Sequence, residues 1–300
     1  MLDRASTFAD PQIVEMLKTR FVPVAIDQAY QRRQQDTEGD FYRKIAGQGP
    51  RNNFQATTQG FYIATADGEL LLYNNNRNPA KVRRLMREKL AEFQQRRAAR
   101  AEVAAITSKK TDPRYNVGPP DGGLVLRVRA KVLGGYPETN DRRRRIFQSA
   151  LSRDSLWITK SEHEALVSGK VLPSLSQRIA RYHLVDNTRG EPPMWKPKEI
   201  RELDVQLRDG KLSGSVRLET ARGDRGYEAE LLGFVDVEDG QVARLDLVAS
   251  GDFWGEGRFT QGAPPGRFPL AVSFTLADGS DIADRIPPQG SRGWVAGYLR

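Results

Sequence analysis

The punctuation of the last third constrains this chain most. From Glu202 onward, short alternating stretches of apolar and polar residues are separated by Asp209 with Gly210, Asp224 with Gly226, Asp239 with Gly240 and Asp278 with Gly279. Asp and Gly tolerate the positive backbone angles of a tight hairpin, so such pairs join strands of opposite direction. Strands repeated at this spacing predict an antiparallel meander, closed or folded over as a barrel or a sandwich. Leu124, Leu126, Val128, Ala130 and Val132 alternate with Arg127, Arg129 and Lys131, which predicts one more strand with a single buried face. A helical insert is expected over about residues 140–182, with Ser161 and Glu164 spaced as a capping box and Gly169 as a stop.

The first third has another rhythm. Asp10 before Pro11 is a capping acceptor followed by a proline at the first helical position, and Ile13, Val14, Leu17 and Phe21 give the helix over 11–19 an apolar side. The run at 21–26, short and apolar, predicts a strand buried on both faces. A polar helical stretch comes next over 28–46, broken by Gly47, Gly49, Pro50, Asn52 and Asn53. Residues 61–64 and 70–73 flank Asp67 and Gly68, a strong hairpin signal. Asn78 and Pro79 then open a long helix, with Val82, Leu85, Met86, Leu90 and Phe93 on one side and Lys81, Arg83, Arg84, Arg87, Arg96 and Arg97 on the other. Pro113, Pro119, Pro120 and three glycines mark 108–123 as a linker between domains at 1–107 and 124–300. A chain of 300 residues has material for two cores.

Taken in order, helix, buried strand, helix, hairpin and amphipathic helix over residues 5–100 resemble the thioredoxin-like family. The likeness is carried by Thr7, Phe8, Ala9, Asp10 and Pro11, by Phe21, Val22, Pro23 and Val24, and by Thr58, Gln59, Gly60, Phe61, Tyr62 and Ile63 ahead of Asp67 and Gly68. The resemblance covers about a third of the chain and implies an α+β protein: an incomplete thioredoxin-like α/β domain, then an antiparallel β-rich domain. It also implies that the family's first strand and its cysteine pair are missing, because the chain begins after that point and contains no cysteine. Gln59 or Gly60 stands where the family carries a cis-proline. In the family the missing strand lies between the 21–26 strand and the hairpin. Its loss leaves backbone donors and acceptors to be satisfied by another segment, or else implies a truncated start.

Without sulfur nucleophiles the chain is expected not to reduce disulfides, which leaves a redox-inactive binding or scaffolding role. The alternative is a thiol-disulfide oxidoreductase whose cysteine pair lies upstream of a truncated start. A 28% share of charged residues and no apolar run near the ~20 residues of a membrane span describe a soluble chain. With no signal-peptide pattern, a cytoplasmic location is the default, and an exported one is expected if the start is truncated.

Two histidines limit metal and general-base chemistry. His163, between two glutamates, lacks the spacing of a metal-binding helix and is expected in solvent. His183 lies in the densest polar and aromatic cluster, residues 181–195. There His183 could act as a base oriented by Asp186, with Arg189 holding an anion and Trp195 offering a stacking face for a protein or small-molecule ligand. The alternative is that Tyr182, Leu184 and Trp195 pin a connecting loop to the sheet. No catalytic set, metal site or cofactor motif is assigned, and no phosphate loop or dinucleotide fingerprint occurs. Net charge is +9 and the last third is acidic, so a nucleic-acid surface, the minor alternative, falls to Arg142, Arg143, Arg144 and Arg145. Four consecutive residues wrap around a helix and cannot all face one partner.

Overall fold

The computed structural model describes residues 6–56, 60–97, 111–115, 117–292 and 294–300. The chain is mixed α/β and divides into two compact units that meet in sequence at Val117 and Gly118.

In the first unit, α1 (Pro11–Arg20) starts where Asp10 accepts hydrogen bonds from Gln12 N and Ile13 N, each at 3.1 Å. The predicted helix over 28–46 is two helices, α2 (Gln28–Gln31) and α3 (Thr37–Gly47), the second capped by Asp36. The hairpin forms as predicted, β1 (Phe61–Ala64) pairing antiparallel with β2 (Leu70–Asn74). The amphipathic helix is α4 (Pro79–Arg97), whose Val82 and Met86 form a small core with Ile13, flanked by Met16, Leu17, Phe21, Phe61 and Ile63.

The predicted buried strand at 21–26 is a correction. These residues join no sheet, and Val22 is 89% exposed and Val24 71%. Among the described residues the two-stranded sheet has no further member, so an apolar run that reads as a buried strand stands without the neighbours that would bury it. Residues 57–59 and part of the predicted linker, 108–110 and 116, lie outside the described residues. The described part of that linker is tied down: Asp112 N donates to Asp36 Oδ2 at 2.8 Å and Gln35 N to Asp112 Oδ2 at 2.9 Å.

The second unit is built on one seven-stranded antiparallel sheet in the order β4-β3-β9-β8-β7-β6-β5. Its strands are β3 (Leu124–Val132), β4 (Asp154–Ile158), β5 (Ile200–Arg208), β6 (Lys211–Glu219), β7 (Gly226–Glu238), β8 (Gln241–Trp254) and β9 (Arg267–Leu276). The sheet curls into a half-barrel, neither closed nor doubled into a sandwich, since β4 and β5 remain its two edges. Two of the predicted turns are tight hairpins with positive φ at both central residues: Asp209 (48°) with Gly210 (73°), and Asp239 (49°) with Gly240 (73°). Asp278 and Gly279 instead end the sheet, leading into a short 3-10 helix at Ile282–Arg285.

The predicted helical insert is only partly helical. It holds α5 (Arg142–Ser149), α6 (Lys160–Val167), α7 (Pro173–Arg178) and a π turn at Ile179–His183, but also the edge strand β4. Ser155, Leu156, Trp157 and Ile158 are all buried, so β4 shows no alternation to betray it. The capping box lies two residues upstream of the predicted one: Thr159 N donates to Glu162 Oε2 at 2.9 Å, and Glu162 N to Thr159 Oγ1 at 3.4 Å. The chain closes with α8 (Val295–Tyr298).

The concave face carries the core. Phe268, Leu270, Val272 and Phe274 of β9 are fully buried, next to Tyr227, Leu231 and Ala249. On the other face of the same sheet Leu232 is 67% exposed opposite Val248. We predict that Leu270→Ala lowers the stability of this unit by about 2–5 kcal/mol, through lost burial and a cavity. Leu232→Ala should change it by no more than about 0.5 kcal/mol. Urea unfolding followed by tryptophan fluorescence compares the two, and equal costs would mean the faces are assigned wrongly.

Candidate functional site

Polar side chains converge at one end of the concave face, where β4, α6, α7, the π turn and α8 meet. Arg178 and Glu162, each with a side chain 1% exposed, form an ion pair at 2.6 Å. The rest of the Arg178 guanidinium is spent on backbone carbonyls. Nη1 donates to Trp157 O, Nε to Tyr298 O at 2.9 Å and Nη2 to Leu299 O at 2.8 Å. Helix α8 is too short to satisfy its own last carbonyls, and one buried arginine serves them. Glu162 also accepts from Ser174 Oγ at 2.6 Å. Burial pushes the Glu162 carboxyl up, but Arg178, Ser174 and the Thr159 amide outweigh it and hold it below the usual 4.5.

His183 lies beside this pair with its side chain fully buried. Its Nε2 is 2.7 Å from the Tyr298 hydroxyl, and its Nδ1 is 3.3 Å from Asp154 Oδ2. Burial, with Asp154 adding to it, raises the Tyr298 phenol well above 10, so its hydroxyl stays a donor. Asp154 is fixed in turn by Ser155 N and Gln289 N, both donating to Oδ1 at 2.9 Å.

The structure therefore separates the residues that sequence grouped together. The carboxylate beside His183 is Asp154, 29 positions upstream, whereas Asp186 is occupied by its own loop. Asp186 Oδ1 accepts from Thr188 N and Thr188 Oγ1, and Oδ2 meets Arg189 Nη2 at 2.5 Å. Arg189 spends its other nitrogens on Thr260 O at 2.9 Å and the Tyr136 hydroxyl at 2.8 Å, and is 3% exposed. Trp195, 1% exposed, donates Nε1 to Leu184 O at 2.7 Å, with the Arg225 guanidinium carbon 3.8 Å from its ring centroid. Burial pulls the Arg225 guanidinium down to about 10, against the opposing pull of Glu199 and Asp224. All four residues line the closed interior of a connecting loop and its supports. Arg189 has its charge matched within the loop, and the Trp195 ring system is engaged at both its N–H and its face.

His163 is a second correction. It is 6% exposed, with Nδ1 3.0 Å from Gly122 O, and Nε2 accepts from Val242 N at 3.2 Å, so the imidazole joins α6 to the start of β8. On α5 the exposed guanidinium groups of Arg144 and Arg145 face solvent, while the side chains of Arg142 and Arg143 lie outside the described residues. No described helix is long and apolar enough to cross a membrane.

Sequence reasoning missed Glu162, Arg178, Asp154 and Tyr298. Arg178 carried one usable signal, a cation among the apolar positions Leu175 and Ile179, but its partners lie 16 to 121 positions away. Arg178→Met should cost about 3–5 kcal/mol, because it strands a buried carboxylate. The acid side gives a second test. A carboxyl held low in the folded state contributes stability that is full above about 4.5 and lost as pH falls toward the folded value. Glu162→Gln should therefore flatten the fall of the urea midpoint between pH 5 and pH 3, and an unchanged slope would mean the pair carries no such linkage. No protein-family model, curated protein or solved structure matches this chain.

Proposed function

We propose that this chain is a binding or scaffolding protein. Its N-terminal unit, which we read as thioredoxin-like although its 21–26 segment joins no sheet, takes up an extended peptide of a partner protein. One observation carries the reading: residues 22–26 form an apolar, exposed segment outside any sheet. Val22, Val24 and Ile26 are 89%, 71% and 41% exposed, and among the described residues no backbone hydrogen bond joins 22–26 to another segment. Unpaired apolar backbone of this kind is open to pairing with an incoming extended peptide, in which main-chain bonds supply affinity and alternate side chains supply selectivity.

Pro23 selects the edge that is used. Along a strand the N–H and C=O of alternate residues point to opposite sides, and Pro23 has no N–H to give. The side bearing the amides of Val22, Val24 and Ile26 keeps its full set of donors, so an incoming strand pairs there. By contrast, the polar groups around Arg178 in the second unit are buried and bonded to one another, which suits a rigid support better than turnover.

The test uses the full chain and a fluorescent heptapeptide of alternating Val and Thr, followed by anisotropy. Binding is expected, with a loss of about ten-fold or more when alternate peptide amides are N-methylated, since each methyl group removes a donor and blocks the pairing edge. Val24→Pro should abolish binding without lowering the unfolding temperature, because Val24 is exposed and makes no backbone bond to the described residues. Equal binding of the methylated peptide, or by the Val24→Pro protein, contradicts strand addition.

A further inference from the structure

The first unit also contains a cavity of about 490 Å³ lined by Arg32, Arg33, Gln35, Phe54, Gln55 and Tyr115. Its size is within the range of small-molecule sites. The loop that carries its arginines is held from behind: Arg43 Nη1 donates to Gln31 O, Arg32 O and Gln34 O, the last at 2.7 Å. These bonds fix the backbone on either side of Arg33.

Both aromatic walls are braced as well. The Tyr115 ring packs edge-on against buried Tyr30 at 6.2 Å, and Phe54 packs against buried Tyr42 at 6.3 Å. The Arg33 guanidinium carbon lies 5.8 Å from the Tyr115 ring centroid.

The acids near the cavity have partners of their own, and Asp27 also lies in the field of Arg33 and Arg32. Asp112 is taken by Arg114 and the Gln35 amide, Asp36 by Gln34, Gly39 and the Asp112 amide, and Asp27 caps α2 through Ala29 N. The two arginines are held only by carbonyls, Arg32 Nη1 donating to Phe54 O at 3.4 Å and Arg33 Nε to Ala29 O at 2.8 Å. Neither forms an ion pair among the described residues, and Arg32 Nε is buried without a hydrogen-bond partner there. Two guanidinium groups that form no direct ion pair among the described residues, with Asp27 the carboxylate whose field reaches both, stand beside two rings and two amides and match an oxyanion attached to a flat ring.

We propose that this cavity binds a small planar aromatic oxyanion, the charged group being a phosphate or a carboxylate. Calorimetric titration of the full chain separates the two sources, using adenosine monophosphate for an aromatic phosphate and 4-hydroxybenzoate for an aromatic carboxylate. Inorganic phosphate and adenosine carry the charge and the ring separately. At least one of the two aromatic anions should bind about ten-fold or more tightly than both controls. Arg33→Gln, at an exposed position, should weaken that binding about ten-fold with no change in unfolding temperature. Arg84→Gln, which removes the same charge from the exposed side of α4, should leave it unchanged. Aromatic anions that bind no better than phosphate or adenosine overturn the proposal, as does undiminished binding by Arg33→Gln.

Discussion

A curled sheet has a concave face that must be filled, and here the filling depends on one buried cation. Arg178 reaches Glu162 of α6, the carbonyl of Trp157 in β4 and two carbonyls at the end of the α8 turn. Segments that are distant in sequence close over the sheet because each contributes an acceptor to the same guanidinium. Taking that charge out of water is costly, so each of its donors needs a partner. The His183 cluster depends on this closure: α8 is held down by Arg178 and brings Tyr298 to the imidazole, while β4 brings Asp154 to the other side.

The two units differ in how completely they meet the demands of their backbone. In the second, every strand of the sheet is paired. In the first, a two-stranded sheet supports a small core of Ile13, Val82 and Met86, and an apolar segment of the same unit stays exposed. Exposed apolar surface is costly unless something covers it for part of the time, which gives the binding reading its physical basis. The cavity at Arg32, Arg33 and Tyr115 belongs to the same unit.

Local chemistry was legible and long-range pairing was not. Asp10 with Pro11 announced α1, Asp67 with Gly68 announced the hairpin, and Asp209 with Gly210 announced the β5–β6 turn, because each signal acts within a few residues. The alternation over Leu126, Val128 and Ala130 correctly assigned the buried face of β3. β4 was hidden because burial on both faces removes alternation. The end of the sheet after Asp278 was hidden because a turn pair reverses the chain without specifying a strand beyond it. The acid paired with His183 could not be read at all, since nearby Asp186 is the natural guess and proximity across the fold is decided by how β4 returns to β3. The 21–26 run misled for a different reason: its composition describes a buried strand, and composition cannot report whether a neighbour is present to bury it.

Amide hydrogen exchange of the intact chain, read by mass spectrometry, tests the contrast between an open first unit and a closed second one. Amides of Val22, Val24, Ala25 and Ile26 should exchange at close to the rate of unstructured peptide, while those of β8, β9 and the segment from Arg178 to Leu184 stay protected. Protection of residues 22–26 comparable to that of β9 would contradict this contrast, because it would show that the segment already has a strand partner.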